Sequence, residues 1–292
     1  MKARRWRGWL LIAAWAWTAG ARAAVQAVDD AGQRVTLAQP ATRIVSLAPN
    51  LTELLFSAGA GAQIVGTVAY SDYPDAARRI PRVGDAVQLD LERIVSLRPD
   101  LIVVWQHGNS AQQIARLRAL GIPVYASEPA DFDGLSSTLR RLGRLAGTEA
   151  QADARAAALD RAVATLRRRY AGARPLRVFF QIWPRPLMTV NGHHLISRAL
   201  ALCGAQNVFA DLAPLVPTVS EEAVVAADPD AILAGSAQGL AAWQGLHWLR
   251  AARQGHLLVV DAQTLGRGSD RMVPATAALC AQLDAVRAAL PR

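Results

Sequence analysis

This sequence predicts two Rossmann-like α/β lobes joined by one long helix. Three observations carry the prediction: alternating strand-like and helix-like segments, a long amphipathic stretch without glycine or proline, and an internal repeat falling once on each side of it. After a polar, β-like opening over residues 25–37, apolar runs rich in β-branched residues at 43–47, 64–68 and 101–105 interleave with helix-patterned segments at 51–58, 91–97 and 111–120. Gly121 closes the last of these helices, Pro123-Val124-Tyr125 begins a fourth strand, and 134–145 is helical. Between Thr148 and Tyr170 there is no helix breaker, and Ala156, Leu159, Val163, Leu166 and Tyr170 recur at helical spacing beside Asp160, Arg161 and Arg167-Arg168-Arg169. Gly172 and Pro175 end that helix. Strand-like runs at 176–182, 231–234 and 257–260 then alternate with helical ones at 196–202 and 222–227. The expected division is a leader over 1–23, an N-terminal lobe over 24–147, a connecting helix over 148–172 and a C-terminal lobe over 173–292.

The repeat is weak by identity and consistent in spacing. Glu92 stands seven residues before Pro99-Asp100 and a strand, and Glu222 stands seven before Pro229-Asp230 and a strand. A second echo sets Gly61-Ala62-Gln63 against Gly204-Ala205-Gln206, in the same order relative to the first. Two similar lobes on either side of a rigid spacer enclose a cleft.

Composition narrows the function. The 292 residues are 52% hydrophobic and 19% charged, which excludes a disordered polymer. The net charge of +9 would ordinarily suggest nucleic acid, but Lys2, Arg4, Arg5, Arg7 and Arg22 lie in a leader with no acid, so no nucleic-acid partner is expected. That leader has a cationic start, an apolar run from Gly8 to Ala19 shorter than the roughly 20 residues a bilayer needs, and Ala21-Arg22-Ala23 before Ala24. Cleavage near Ala23 and a periplasmic, soluble product are expected. Cys203 and Cys280 are the only cysteines. In an exported chain a bridge between them is favoured, two buried thiols being the alternative.

No phosphate-cradling loop or nucleophile elbow occurs, so neither catalysis nor a resident cofactor is expected. The histidines, His107, His193, His194, His247 and His256, lack the spacing of a metal clasp on a helix and read as solvated turn residues rather than metal ligands. Aromatic residues are scarce after the leader, which makes Tyr70, Trp105 and Trp183 informative. Each follows or ends a predicted strand, where open α/β sheets bind ligands, and His107-Gly108-Asn109 would add polar groups at the same edge.

Residues 43–53 (Arg-Ile-Val-Ser-Leu-Ala-Pro-Asn-Leu-Thr-Glu), Tyr70-Ser71-Asp72-Tyr73-Pro74, Leu91-Glu92-Arg93-Ile94 with Pro99-Asp100-Leu101-Ile102, and Val219-Ser220-Glu221-Glu222 resemble the periplasmic cobalamin-binding proteins. These belong to the helical-backbone substrate-binding proteins that serve ABC importers of cobalamin, haem and ferric siderophores. The resemblance covers nearly all of the mature chain. It implies capture of cobalamin or a related corrinoid between the lobes by a monomer, with delivery to a permease dimer. It also implies docking through Glu92 and Glu222, one carboxylate per lobe. Those proteins carry tryptophans where alignment puts Ala86 and Val216 here; Trp183, Arg185 and Met188 are expected to replace them, or the pocket suits haem or an iron chelate instead. A metal-binding protein built on His107 with His193 or His194 is the competing class.

Overall fold

The computed structural model describes residues 24–290, so the expected leader and its cleavage site lie outside the described residues. Val25–Val28 (β1) and Arg34–Leu37 (β2) pair as an antiparallel hairpin. Ile44–Ser46 (β3), Ile64–Thr67 (β4), Leu101–Trp105 (β5) and Val124–Ser127 (β6) form a parallel sheet in the order β4-β3-β5-β6. Pro49–Ser57 (α1), Leu91–Ser96 (α2), Ala111–Ala119 (α3) and Phe132–Ala146 (α4) supply the helices of this lobe. A parallel sheet is covered on both faces, so its strands are buried along most of their length while successive side chains serve different cores. Leu101 and Val103 join the large central core, and Ile102 and Val104 join a smaller one on the opposite face.

Glu149–Tyr170 (α5) is the connecting helix, 22 residues long and therefore about 33 Å. It buries Ala152, Ala156, Leu159, Val163 and Tyr170, the stripe expected from the sequence extended one turn towards its start, with Leu166 partly buried against the same core. A Cβ at Gly143 would sit 2.2 Å from the Ala152 methyl, so only glycine lets α4 approach α5 this closely. The central core runs from Leu51 and Leu54 through Ala156 and Leu159 to Phe180 and Leu200 without interruption, so α5 is a packed spine rather than a tether.

In the second lobe Leu176–Gln181 (β7), Ala205–Asn207, Ala231–Ala234 and Leu257–Val259 form another parallel sheet. A two-residue-stranded hairpin, Trp183–Pro184 (β8) with Leu187–Met188 (β9), interrupts the chain before the second strand, so the remaining three are β10, β11 and β12. The order is β10-β7-β11-β12. With the hairpin set aside, both sheets run second, first, third, fourth, which is the expected repeat expressed as topology. The helices here are Leu195–Leu202 (α6), Glu221–Ala227 (α7), Ala237–Gln244 (α8), Arg250–Arg253 (α9), Ala262–Leu265 (α10) and Met272–Ala289 (α11).

The better repeat also holds atom by atom. Asp90 and Ser220 cap α2 and α7, accepting from the backbone N–H groups of Arg93 and Ala223. Arg98 (φ 47°) and Asp228 (φ 39°) turn the chain through the left-handed region at matching positions. Asp100 then accepts from the Arg43 N–H at 2.9 Å, and Asp230 from the Arg177 N–H at 2.8 Å, while those two arginines donate to the Leu97 and Ala227 carbonyls. The Pro-Asp motif is thus a staple joining the third strand of each sheet to the first. The second echo is looser: Gly61 opens a single 3₁₀ turn before β4 starts at Ile64, whereas β10 starts directly after Gly204.

Cys203, at the end of α6, and Cys280, in α11, are bridged, with Cα atoms 4.8 Å apart. The bridge and the burial of Leu279 and Leu283 pin α11 beneath the C-terminal lobe. Among the described residues no helix is long and apolar enough to cross a membrane.

Candidate ligand-binding cleft

A cavity of about 660 Å³ lies between the lobes. From the N-terminal lobe it is lined by Pro49 and Asn50 at the start of α1, by Trp105, Gln106 and His107 beyond β5, and by Glu128 beyond β6. His193, His194, Leu215, Gln263 and Arg267 face them from the other lobe. β3 and β5 are neighbours from which the chain crosses over in opposite directions, and the carboxyl end of such a pair is where an open α/β sheet leaves a crevice.

Trp105 ends β5 and is 40% exposed. Its backbone N–H donates to Asn109 Oδ1 at 2.7 Å and its indole Nε1–H donates to Glu128 at 3.3 Å. A Cβ at Gly108 would lie 1.8 Å from the indole ring, so glycine is required for the ring to lie against the chain there. Asn109 is not the cleft donor the sequence suggested. It is buried and donates to the Leu47 and Ala86 carbonyls, so its polarity is spent on holding the loop together. The polar groups at this edge include His107 and Glu128, which are paired through His107 Nδ1.

Tyr70 lies at the cleft margin, 75% exposed and at φ 64°, outside the cavity lining. Its loop is anchored by buried hydroxyls: Thr52 and Thr67 share a 2.7 Å hydrogen bond, and Ser71 Oγ accepts from Thr67 at 2.9 Å. The Tyr70 carbonyl accepts from Arg267 of the opposite lobe at 3.1 Å. Arg267 is part of a polar clasp centred on Glu53 of α1, which is only 2% exposed. Glu53 accepts from Ser269 at 2.6 Å and is ion-paired to Arg271 at 3.3 Å and Arg267 at 3.8 Å. Beside it, buried Asp270 accepts from Ser57 at 2.9 Å and from Arg155 of α5 at 2.5 Å, and the Arg271 guanidinium lies 3.9 Å from the Tyr73 ring centre. None of these clasp residues was given a functional role from the sequence; Glu53 enters there only as the last residue of the motif at 43–53.

Trp183, Arg185 and Met188 lie together in the β8–β9 hairpin, with the Trp183 indole donating to the Arg185 carbonyl at 3.0 Å. Trp183 is 58% exposed, and none of the three lines the cavity. His256, read from sequence as solvated, is buried, its Nδ1 3.0 Å from the Asp230 carbonyl. His194 caps α6 by accepting the Ile196 N–H on Nδ1 at 3.1 Å, and burial pushes its imidazole down to about 4. Glu92 and Glu222 are exposed at matching places in the first turns of α2 and α7, and neither lines the cavity. The caps there are Asp90 and Ser220, so neither glutamate is needed for that task. Glu222 accepts from its own N–H and from Ser220, which holds its carboxyl below the usual carboxylate range.

A sequence profile for periplasmic binding proteins matches residues 44–264. The chain belongs to the periplasmic binding protein family. It is 36% identical over 249 residues to the vitamin B12-binding protein of Yersinia pestis (strain Pestoides F), covering 85% of this chain and 89% of that relative. The periplasmic vitamin B12 binding protein BtuF of Vibrio cholerae superposes with a TM-score of 0.79 at 32% identity, over 85% of this chain and 98% of that one. The periplasmic haem-binding protein RhuT from Roseiflexus sp. RS-1 superposes at 0.74 with 25% identity, over 84% and 98%. This family member is therefore a substrate-binding protein with the two-lobe fold.

Two outcomes test the cleft's construction. Glu53→Ala strands two arginines at a buried interface and should lower unfolding stability by about 3–5 kcal/mol in urea titration. It should also enlarge the radius of gyration in X-ray scattering, and a variant of unchanged stability and dimensions would show that the clasp does not hold the lobes. His194 supplies the second outcome, because folding depresses its basicity from 6.5 to about 4. Its contribution is complete above the unfolded value, declines as pH falls from 6.5 and is gone below about 4. His194→Asn, which retains a capping side chain, should flatten the dependence of the urea midpoint on pH in that window.

Proposed function

We propose that this protein captures a corrinoid of the cobalamin type in the inter-lobe cleft and delivers it to the permease dimer of an ABC importer. The observation that carries the reading is the 36% identity to a vitamin B12-binding protein across 85% of this chain, together with a cleft lined by an indole face and few charges. An open cavity with one aromatic wall suits a flat conjugated macrocycle whose polar periphery stays in water. In this reading the protein is a receptor without catalytic activity, the corrinoid is cargo rather than cofactor, and the mature monomer works in the periplasm after cleavage near Ala23. Residues 24–147 and 173–292 act as the two lobes on the 148–172 spine.

Trp105 forms the ligand wall, with Tyr70 at the margin and Trp183, Arg185 and Met188 reaching in from the hairpin once cargo is present. Haem is the second reading. It is favoured by Ala86 and Val216, which offer no aromatic face at the places where the resemblance leads one to expect tryptophans. Titration with cyanocobalamin, cobinamide, haemin and a ferric hydroxamate, followed by tryptophan quenching, ranks the candidates. The corrinoids should bind first, and Trp105→Ala should weaken them by about 1–2 kcal/mol. Haemin in first place would favour the second reading, and binding of none would remove both.

Glu92 and Glu222 are read as the docking carboxylates. They are exposed, stand at matching positions of the repeat, and leave capping to Asp90 and Ser220. A pair of like charges related by an approximate twofold suits a symmetric permease dimer that presents one cation per subunit. Glu92→Arg with Glu222→Arg should keep corrinoid affinity while abolishing stimulation of the importer ATPase. Normal uptake by the double variant would dispose of the docking role.

A further inference from the structure

Three of the five histidines line the cleft, and their environments differ. His194 spends Nδ1 on the Ile196 N–H, so its neutral ring carries the proton on Nε2 and has no lone pair left for a ligand. His193 is exposed; its backbone N–H donates to Asn191, but none of the hydrogen bonds described here involves its ring. His107 is different, because its Nδ1 is paired with Glu128 while the side chain is 75% exposed. Glu128 is itself set in place, its backbone N–H donating to Asp30 at 2.6 Å, with Asp30 tied to Arg141 at 2.6 Å. A carboxylate on one imidazole nitrogen fixes the tautomer and turns the ring so that the other nitrogen is presented, the arrangement that supports metal-ligating histidines.

One imidazole is too few donors for a bare ion, and among the described residues no three His, Cys, Asp or Glu side chains are grouped to hold one. It is enough for a metal whose equatorial positions are already filled by a macrocycle. The same carboxylate holds the Trp105 indole at 3.3 Å, so a flat surface and a coordinating nitrogen are fixed relative to each other at one wall of the cavity.

We propose that His107 Nε2 is an axial ligand to the metal of a macrocycle held in the cleft, with Glu128 as its positioning residue. The assignment rests on the receptor reading above and deepens it by naming the chemical class: a metal-centred planar ligand with an exchangeable axial site. The step is a substitution. The imidazole lone pair forms the bond to the metal, the metal–oxygen bond to a water breaks, and that water leaves. The Nδ1 proton stays with the Glu128 hydrogen bond and the metal keeps its oxidation state.

The test records visible spectra of the full-length protein mixed with aquacobalamin, cyanocobalamin or haemin. Bound aquacobalamin should show the band shift of water replaced by imidazole, while cyanocobalamin, whose cyanide holds the position, should not. His107→Ala should abolish the shift and weaken aquacobalamin about tenfold more than cyanocobalamin, and Glu128→Gln should do the same in part. If only the haemin spectrum shifts, and His107→Ala removes that shift, the assignment stands with iron as the metal. Binding without any spectral shift, or a shift that survives His107→Ala and is lost in His193→Ala, would overturn it. Failure of all three macrocycles to bind would overturn the receptor reading and this assignment together.

Discussion

The buried carboxylate of Glu53 is the constraint on which the cleft depends. It sits at the seam of the lobes, and the cations and hydroxyl that neutralise it come from the segment just before α11. A charge this deeply buried is tolerated only when its partners stay in reach. Opening the lobes would strand Glu53, Asp270 and at least two arginines together, so the clasp and the α5 spine resist the same motion. The contacts made by Arg267 link this seam to the cleft, since it lines the cavity while holding both Glu53 and the Tyr70 carbonyl. A ligand entering the cavity therefore meets a wall whose spacing is already set.

The cleft's two sides are built by different means. On the N-terminal side, strand ends and a tightly bonded loop fix Trp105, His107 and Glu128, with Asn109 consumed as an internal brace. On the other side, His194 and Leu215 belong to a helix cap and an irregular segment, and the β8–β9 hairpin stands further out with its indole exposed. This asymmetry sits on a symmetric frame. The Pro-Asp staples, the capped helices before them and the shared strand order make the lobes alike where they carry structure, while the loops beyond the strand ends, free of that constraint, diverge where they line the cavity.

Most of the frame was legible in the sequence because it rests on local rules. Continuous apolar runs rich in β-branched residues mark the buried parallel strands, a stripe at helical spacing marks α5, and a helix and Pro-Asp recur because each lobe needs the same staple. The pairing of Cys203 with Cys280 followed from there being only two cysteines in an exported chain. What stayed hidden was long-range. Glu53 and Arg271 are far apart in sequence, and nothing in either neighbourhood announces that they meet. Asn109 looked like a cleft donor because sequence shows a side chain's chemistry but not which backbone groups have already claimed it. Trp183 and Trp105 both stand at predicted strand ends, but of the two only Trp105 lines the cavity described here, tied to Glu128 through its indole. The sequence by itself determined two α/β lobes, their spine and the strand ends where a ligand would sit, because these depend on neighbours within a few residues. Only the tertiary structure decided which side chains at those ends face one another across the gap, because that depends on how two independently patterned lobes are clamped together by charges neither lobe could bury alone.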